Sequence, residues 1–120
     1  MPEQTEIVDK QDYVLATYIG EFSLGGAKKI VDQIFQFIPA NSYRTVLLDC
    51  RQLTGPLSVM DRFWLAIHGQ KLIGRVTRIA LVRPAFRADA DRFAETAAVN
   101  RGINMRLFSD FDEAVQWLKL

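Results

Sequence analysis

The sequence predicts an α/β fold: a five-stranded, mixed but mostly parallel sheet with its first strand antiparallel, covered by four main helices. Three observations carry that expectation. The run 45–50, TVLLDC, sets Val46, Leu47 and Leu48 side by side, as a strand covered on both faces requires. Apolar runs of strand length then alternate with segments whose apolar residues recur every three or four positions. The first two strand-like runs are joined only by Asp9-Lys10-Gln11-Asp12, a polar turn of hairpin length, so that pair is antiparallel.

Residues 5–8 form the first strand, at a sheet edge where acidic flanks oppose edge-to-edge association. Residues 13–19, YVLATYI, form the second, and Gly20 ends it. Ser23 caps a helix reaching about residue 37, in which Ala27, Ile30, Val31, Ile34 and Phe35 make one apolar face. Pro39 stops it. Gly25-Gly26 lacks both the P-loop signature and the dinucleotide glycine spacing, so these glycines read as aids to close packing or to a flexible first turn. After the strand 45–50, Ser58 with Asp61 three residues on is an N-cap of the capping-box kind for a helix over 58–73. Met60, Phe63, Trp64, Ile67 and Leu72 give that helix a broad apolar surface. Either all of it is core, or part faces a ligand, a second subunit or a bilayer. Gly74 closes the helix. Residues 77–83, TRIALVR, form the next strand, and Pro84 prevents it from running on. In the loop 84–89, PAFRAD, Phe86 sits beside Arg87 at another strand C-terminus, as an exposed contact or folded back on the core. Residues 88–100 form a third helix ending near Gly102. Residues 103–108 are the last strand, and Ser109 caps a final helix whose Asp110, Asp112 and Glu113 suit its first turn.

At 120 residues the chain reads as a single domain, 1–120, with one hydrophobic core. A net charge of +1 gives no electrostatic case for nucleic acid. The charge is uneven: residues 1–60 carry 5 basic and 7 acidic side chains, net −2, and residues 61–120 carry 10 and 7, net +3. The arginines of the second half form either a solvated, ion-paired face or a local basic patch. Cys50 is the only cysteine, so no internal disulfide can form, which fits a reducing cytoplasm, and its apolar setting marks it as a buried structural thiol. The N-terminus has no signal-peptide pattern, and no run has transmembrane length, so any membrane contact is peripheral.

No catalytic constellation is legible. Asp49 and Arg51 sit at the C-terminal end of the strand 45–50, where open α/β sheets bind ligands, but as a strand-end polar pair they need be no more than an ion pair that fixes a loop. His68 has no Ser, Cys or second His at a usable spacing and reads as a packed or solvent-facing residue. No metal set and no cofactor motif is present.

The stretches VLLDCRQLTG, DRFWLA, RIALV, FAETAAVNRG and LFSDFDEAVQWL, in that order over roughly residues 13–118, resemble the SpoIIAA-like proteins, distant relatives of the STAS domains of anti-sigma-factor antagonists and sulfate transporters. The resemblance implies a βα superhelix with helices mostly on one face. It implies a small, non-catalytic module, often a homodimer, similar in fold to part of the lipid-carrying Sec14/CRAL-TRIO domains. The expected partner is an apolar or amphipathic small molecule, or an anionic membrane surface. Phe63, Trp64, Ile67 and Phe86 would supply apolar contact, and Arg87 and Lys71 would meet an anionic head group. The alternative is a regulatory protein-interaction module. Its antagonist relatives carry a phosphorylated Asp-Ser-Ser-Gly segment; here the matching place reads Gly55-Pro56-Leu57-Ser58, leaving Ser58 as the candidate phosphoacceptor and ordinary capping as its simpler role.

Overall fold

Strand β3 (Arg44–Asp49) has no wet face: Val46 and Leu47 point to opposite sides of the sheet, and both are fully buried. The chain, in a computed structural model describing residues 3–55, 58–83 and 102–120, is arranged around it. β1 (Gln4–Asp9) pairs antiparallel with β2 (Val14–Glu21), from Gln4 opposite Ile19 to Asp9 opposite Val14. β2 and β3 are parallel, as are β3 with β5 (Val76–Val82) and β5 with β6 (Met105–Phe108). The sheet order is β1-β2-β3-β5-β6, and a two-residue strand, β4 (Leu53–Thr54), pairs with the end of β2.

That extra strand corrects the expected role of Gly20. The strand does not end there: Gly20 pairs with Leu53, and β2 runs on to Glu21. Its φ of +120° is open to glycine and costly for other residues, and it lets the strand turn away from β3 toward β4.

Helices α1 (Leu24–Phe37) and α2 (Val59–Gly69) cover one face of the sheet, over Val14, Ala16, Tyr18, Val46 and Ile79. A single 3₁₀ turn, Gln70–Leu72, continues α2. Helix α3 (Phe111–Leu118) covers the other face, where Ala114 and Leu118 pack on Leu47, Ala80 and Val82. Among the described residues, two of three helices therefore share a face. The expected helix over 88–100 lies outside the described residues.

The helix ends follow local chemistry. Ser23 Oγ accepts from the Gly26 N–H at 3.0 Å, and the Ser58–Asp61 capping box is formed in both directions. The cap of α3 is Asp110 rather than Ser109: its carboxylate accepts from the Asp112 N–H at 2.9 Å, one residue closer to the first turn. Two arginines cap C-termini. Arg75 Nη1 donates to the carbonyls of Phe35 (3.2 Å) and Ile38 (2.8 Å), with its guanidinium 3.9 Å from the Phe35 ring centroid. Arg78 Nη1 donates to the Trp117 carbonyl of α3 at 2.8 Å. The carbonyls of a helix's last turn lack intrahelical partners, and the Trp117 carbonyl also accepts from the Leu120 N–H at 3.3 Å.

Gly26 shows why α1 begins with glycines. The Tyr18 hydroxyl donates to Glu3 Oε1 at 3.0 Å and accepts from the Ser23 N–H at 3.2 Å, and a Cβ on Gly26 would overlap both that hydroxyl and the Glu3 carboxylate. A Cβ on Gly25 meets nothing. Gly26→Ala is expected to destabilise the fold by about 1–3 kcal/mol, whereas Gly25→Ala is expected to be neutral or stabilising by up to about 1 kcal/mol through helix propensity. Urea unfolding of the two variants checks this; equal stabilities would refute the close-packing role of Gly26.

Candidate functional site

Between the sheet and helices α1 and α2 lies a cavity of about 150 Å³. Ile30, Val31 and Ile34 of α1 form one wall, Leu65, Ala66 and Gly69 of α2 another, and Leu48, Ile79, Leu81, Met105 and Leu107 the sheet floor. The space exists because the facing helix positions are small: Ala27 on α1 and Ala66 and Gly69 on α2 do not fill it.

The two ends of the cavity differ. Helix α2 runs back against the parallel strands, so its first turn lies over their C-terminal ends and Gly69 over their N-terminal ends. A Cβ on Gly69 would come 3.4 Å from Ile103 Cδ1, which with Leu72 makes that far end apolar. At the C-terminal end stand Arg62, in the first turn of α2, and Arg83, directly after β5. Arg62 is only 8% exposed, which a charged side chain tolerates only with partners, and both arginines are engaged within the chain.

The sequence placed a site at this end of the sheet, and the cavity opens that end to arginine chemistry. The cavity lies on a different side of α2 from the large apolar residues expected to make contact. Phe63, Trp64 and Ile67 are not among the described lining residues; Arg62, Leu65, Ala66 and Gly69, spaced three and four apart, take that face. Trp64 is 45% and Met60 57% exposed on the outer side, and the rings of Phe63 and Trp64 meet edge to face with centroids 5.6 Å apart. Arg62 and Arg83 were missed. The available signal was an arginine in register with the apolar residues of an amphipathic helix. Phe86 and Arg87 lie outside the described residues.

Lys71 has a different neighbour from the anionic head group expected for it. Asp32 of α1 accepts from the Lys71 ammonium, and the same oxygen lies 2.8 Å from His68 Nε2. Lys71, and next to it His68, hold the Asp32 carboxyl below the usual carboxylate range. This cluster ties α1 to α2 and the 3₁₀ turn. His68 thus has a carboxylate partner 36 residues away, a pairing that no local spacing reveals.

Asp49 and Arg51 form the expected pair, on the sheet face opposite the cavity. Arg51 Nε and Nη2 donate to the two carboxylate oxygens at 2.9 Å each, and the Arg51 N–H donates to Oδ1 at 3.1 Å. The guanidinium stacks 4.5 Å from the Phe111 ring centroid, so the pair closes the loop after β3 and seats the start of α3. Cys50 is buried, and burial pushes its thiol up to about 12, so it stays protonated and unreactive at neutral pH. Ser58 is exposed, but its Oγ accepts from the Asp61 N–H at 3.0 Å, so capping accounts for it.

Burial raises the pKa of the Asp49 carboxyl, and the Arg51 hydrogen bonds more than reverse this, leaving it below its ordinary value of 3.8. A carboxyl with a depressed native pKa contributes stability that is full above the unfolded value and lost as pH falls through the native one. Asp49→Asn is therefore expected to be less stable than the parent at pH 7, with the gap closing below about pH 4. Urea midpoints across pH 2–7 check this; a gap that does not change with pH would leave the pair without an electrostatic role.

No family model matches the chain, and no curated protein matches it. Among solved structures, it is similar to an uncharacterised protein of the DUF3478 family with a SpoIIAA-like fold from Shewanella loihica PV-4. The two share 20% sequence identity at a TM-score of 0.62, over 97% of this chain and 93% of that one. The strand order, the antiparallel first strand and this likeness agree with what the motifs implied: the chain has a SpoIIAA-like fold.

Proposed function

We propose that this chain is a non-enzymatic binding module whose site is the cavity between the sheet and helices α1 and α2, and that it takes an apolar or amphipathic small molecule there. The cavity carries the reading. A void of about 150 Å³ whose walls are mostly aliphatic has room for a benzene-sized guest. Left empty, a void of that size costs about 3–4 kcal/mol at roughly 24 cal/mol per Å³, against a total stability of about 5–15 kcal/mol for a small domain. A guest that restores those contacts stabilises the native state by mass action. Saturating benzene is expected to raise Tm by several degrees. Ala66→Leu, which fills the void from α2, is expected to raise Tm alone and to abolish the benzene effect. No benzene shift in the parent protein would sink the reading.

A second reading rests on the outer side of α2, where Met60 and Trp64 are exposed: peripheral contact with a membrane. No helix among the described residues is long and apolar enough to cross a membrane. Vesicles of phosphatidylcholine with phosphatidylserine are expected to sediment the protein at low salt, less so with Trp64→Ala or Arg87→Ala. Absence of binding at low salt would remove this version.

A further inference from the structure

We infer that the free edge of β1 is a docking site for an extended, basic segment of a partner protein, which adds to the sheet as a further strand beside β1. The site lies apart from the cavity: its groove, lined by Thr5, Ile7, Gln33, Gln36 and Phe37, shares none of the cavity's described lining residues.

The Lys10 N–H donates to the Tyr13 carbonyl at 2.9 Å, so Lys10 and Tyr13 are a hydrogen-bonded pair of the β1–β2 hairpin. Bonded and unbonded pairs alternate along an antiparallel ladder. The register runs from Asp9 opposite Val14 to Gln4 opposite Ile19, so Val8, Glu6 and Gln4 bond to β2. Thr5, Ile7 and Asp9 therefore turn their N–H and C=O groups outward, away from β2. Neither a proline nor a bulge interrupts this edge, two of the devices that close an edge to other chains. An incoming extended chain can continue the ladder there.

Side chains decide what kind of chain fits. Those of Thr5, Ile7 and Asp9 share the α1 side of the sheet, because they stand opposite Tyr18, Ala16 and Val14 of its core. Ile7 is half-buried there and Phe37, at the end of α1, is 43% exposed, so alternate side chains of an added strand meet an apolar shelf. Beside it the buried Gln33 Oε1 has no hydrogen-bond partner among the described residues, and a donor from an incoming chain would satisfy it. On the other side of the sheet an added strand meets Glu6, which is exposed. Asp9 is paired with Arg44 at 2.8 Å and Glu3 accepts from the Tyr18 hydroxyl, whereas Glu6 has no ion-pair partner among the described residues. A lysine or arginine across from Glu6 complements it, and an acidic residue there is repelled. A second copy of this chain fits less well. Antiparallel self-pairing that uses all three outward residues is centred on Ile7, and it sets the two Glu6 carboxylates on one diagonal across the symmetry axis.

Titration of the full chain at low salt with two acetylated, amidated peptides tests this, one alternating valine with lysine and the other valine with glutamate. The lysine peptide is expected to bind about fivefold tighter and to slow hydrogen exchange at the Thr5, Ile7 and Asp9 amides, read by NMR. Glu6→Lys is expected to reverse the preference. Thr5→Pro removes an outward N–H without touching the ladder to β2, and is expected to weaken binding about fivefold. Should that variant fail to fold, Glu6→Lys at an exposed position carries the comparison. Equal affinity for the two peptides, or a preference that Glu6→Lys leaves unchanged, would overturn the assignment of a basic partner. Binding without protection of those three amides would place the peptide elsewhere and overturn the site. Protection of the same amides in the chain alone, with a concentration-dependent dimer in sedimentation, would give the edge to a second copy and overturn the partner. No binding of the lysine peptide would overturn the proposal outright, while the benzene shift tests the cavity independently.

Discussion

Everything in this fold depends on the double burial of β3 and β5. A strand that has apolar side chains on both sides cannot be served by one layer of helices, so the chain must deliver cover to both faces of the sheet. It does so with α1 and α2 on one side and α3 on the other. Parallel pairing follows from β2 onward, because β2, β3 and β5 are each followed by a connection long enough to return the chain to the same edge. The crossovers gather the strand C-termini along one edge, and it is there that the two buried or half-buried arginines and the Asp49–Arg51 pair arise, on opposite faces of the same sheet.

The two faces have been put to different uses. Under α3, Leu47, Ala80, Val82, Ala114 and Leu118 close without reserve, and Arg51 stacks on Phe111 to seal the end of that layer. Under α1 and α2, the small residues that permit close helix approach leave volume unfilled. The Asp32–His68–Lys71 cluster ties α1 to α2 and the 3₁₀ turn, and Arg75 caps the end of α1.

Much of this was legible in the sequence. The unbroken run at Val46–Leu48 fixed a two-sided strand, the spacing from Ala27 to Ile34 fixed the buried face of α1, and Ser58 with Asp61 announced the start of α2. What failed to read were relations between distant parts. A two-residue strand has no period to detect, so β4 is invisible in the sequence and Gly20 reads as a terminator. Asp32 and His68 meet only because two helices pack. The cavity side of α2 is hard to read for a further reason: large apolar residues such as Phe63 and Trp64 attract notice, whereas the cavity is lined by small ones, as at Ala66 and Gly69. Amphipathic periodicity says which residues share a side and leaves open which side is covered.

Arg75 stands directly before β5 and Arg78 near its start, where the register with β3 slips by one residue, and their side chains reach helices on opposite faces of the sheet. One holds the end of α1 and the other the end of α3. The start of this strand is accordingly a double fastening, through which the two helical layers are bound to the same few backbone atoms. Neither layer can peel from the sheet at that point without disturbing the anchorage of the other, so the two sides behave there as one cooperative unit in opening. A chain of this size thereby keeps a hollow on one side without letting that side melt independently of the sealed one.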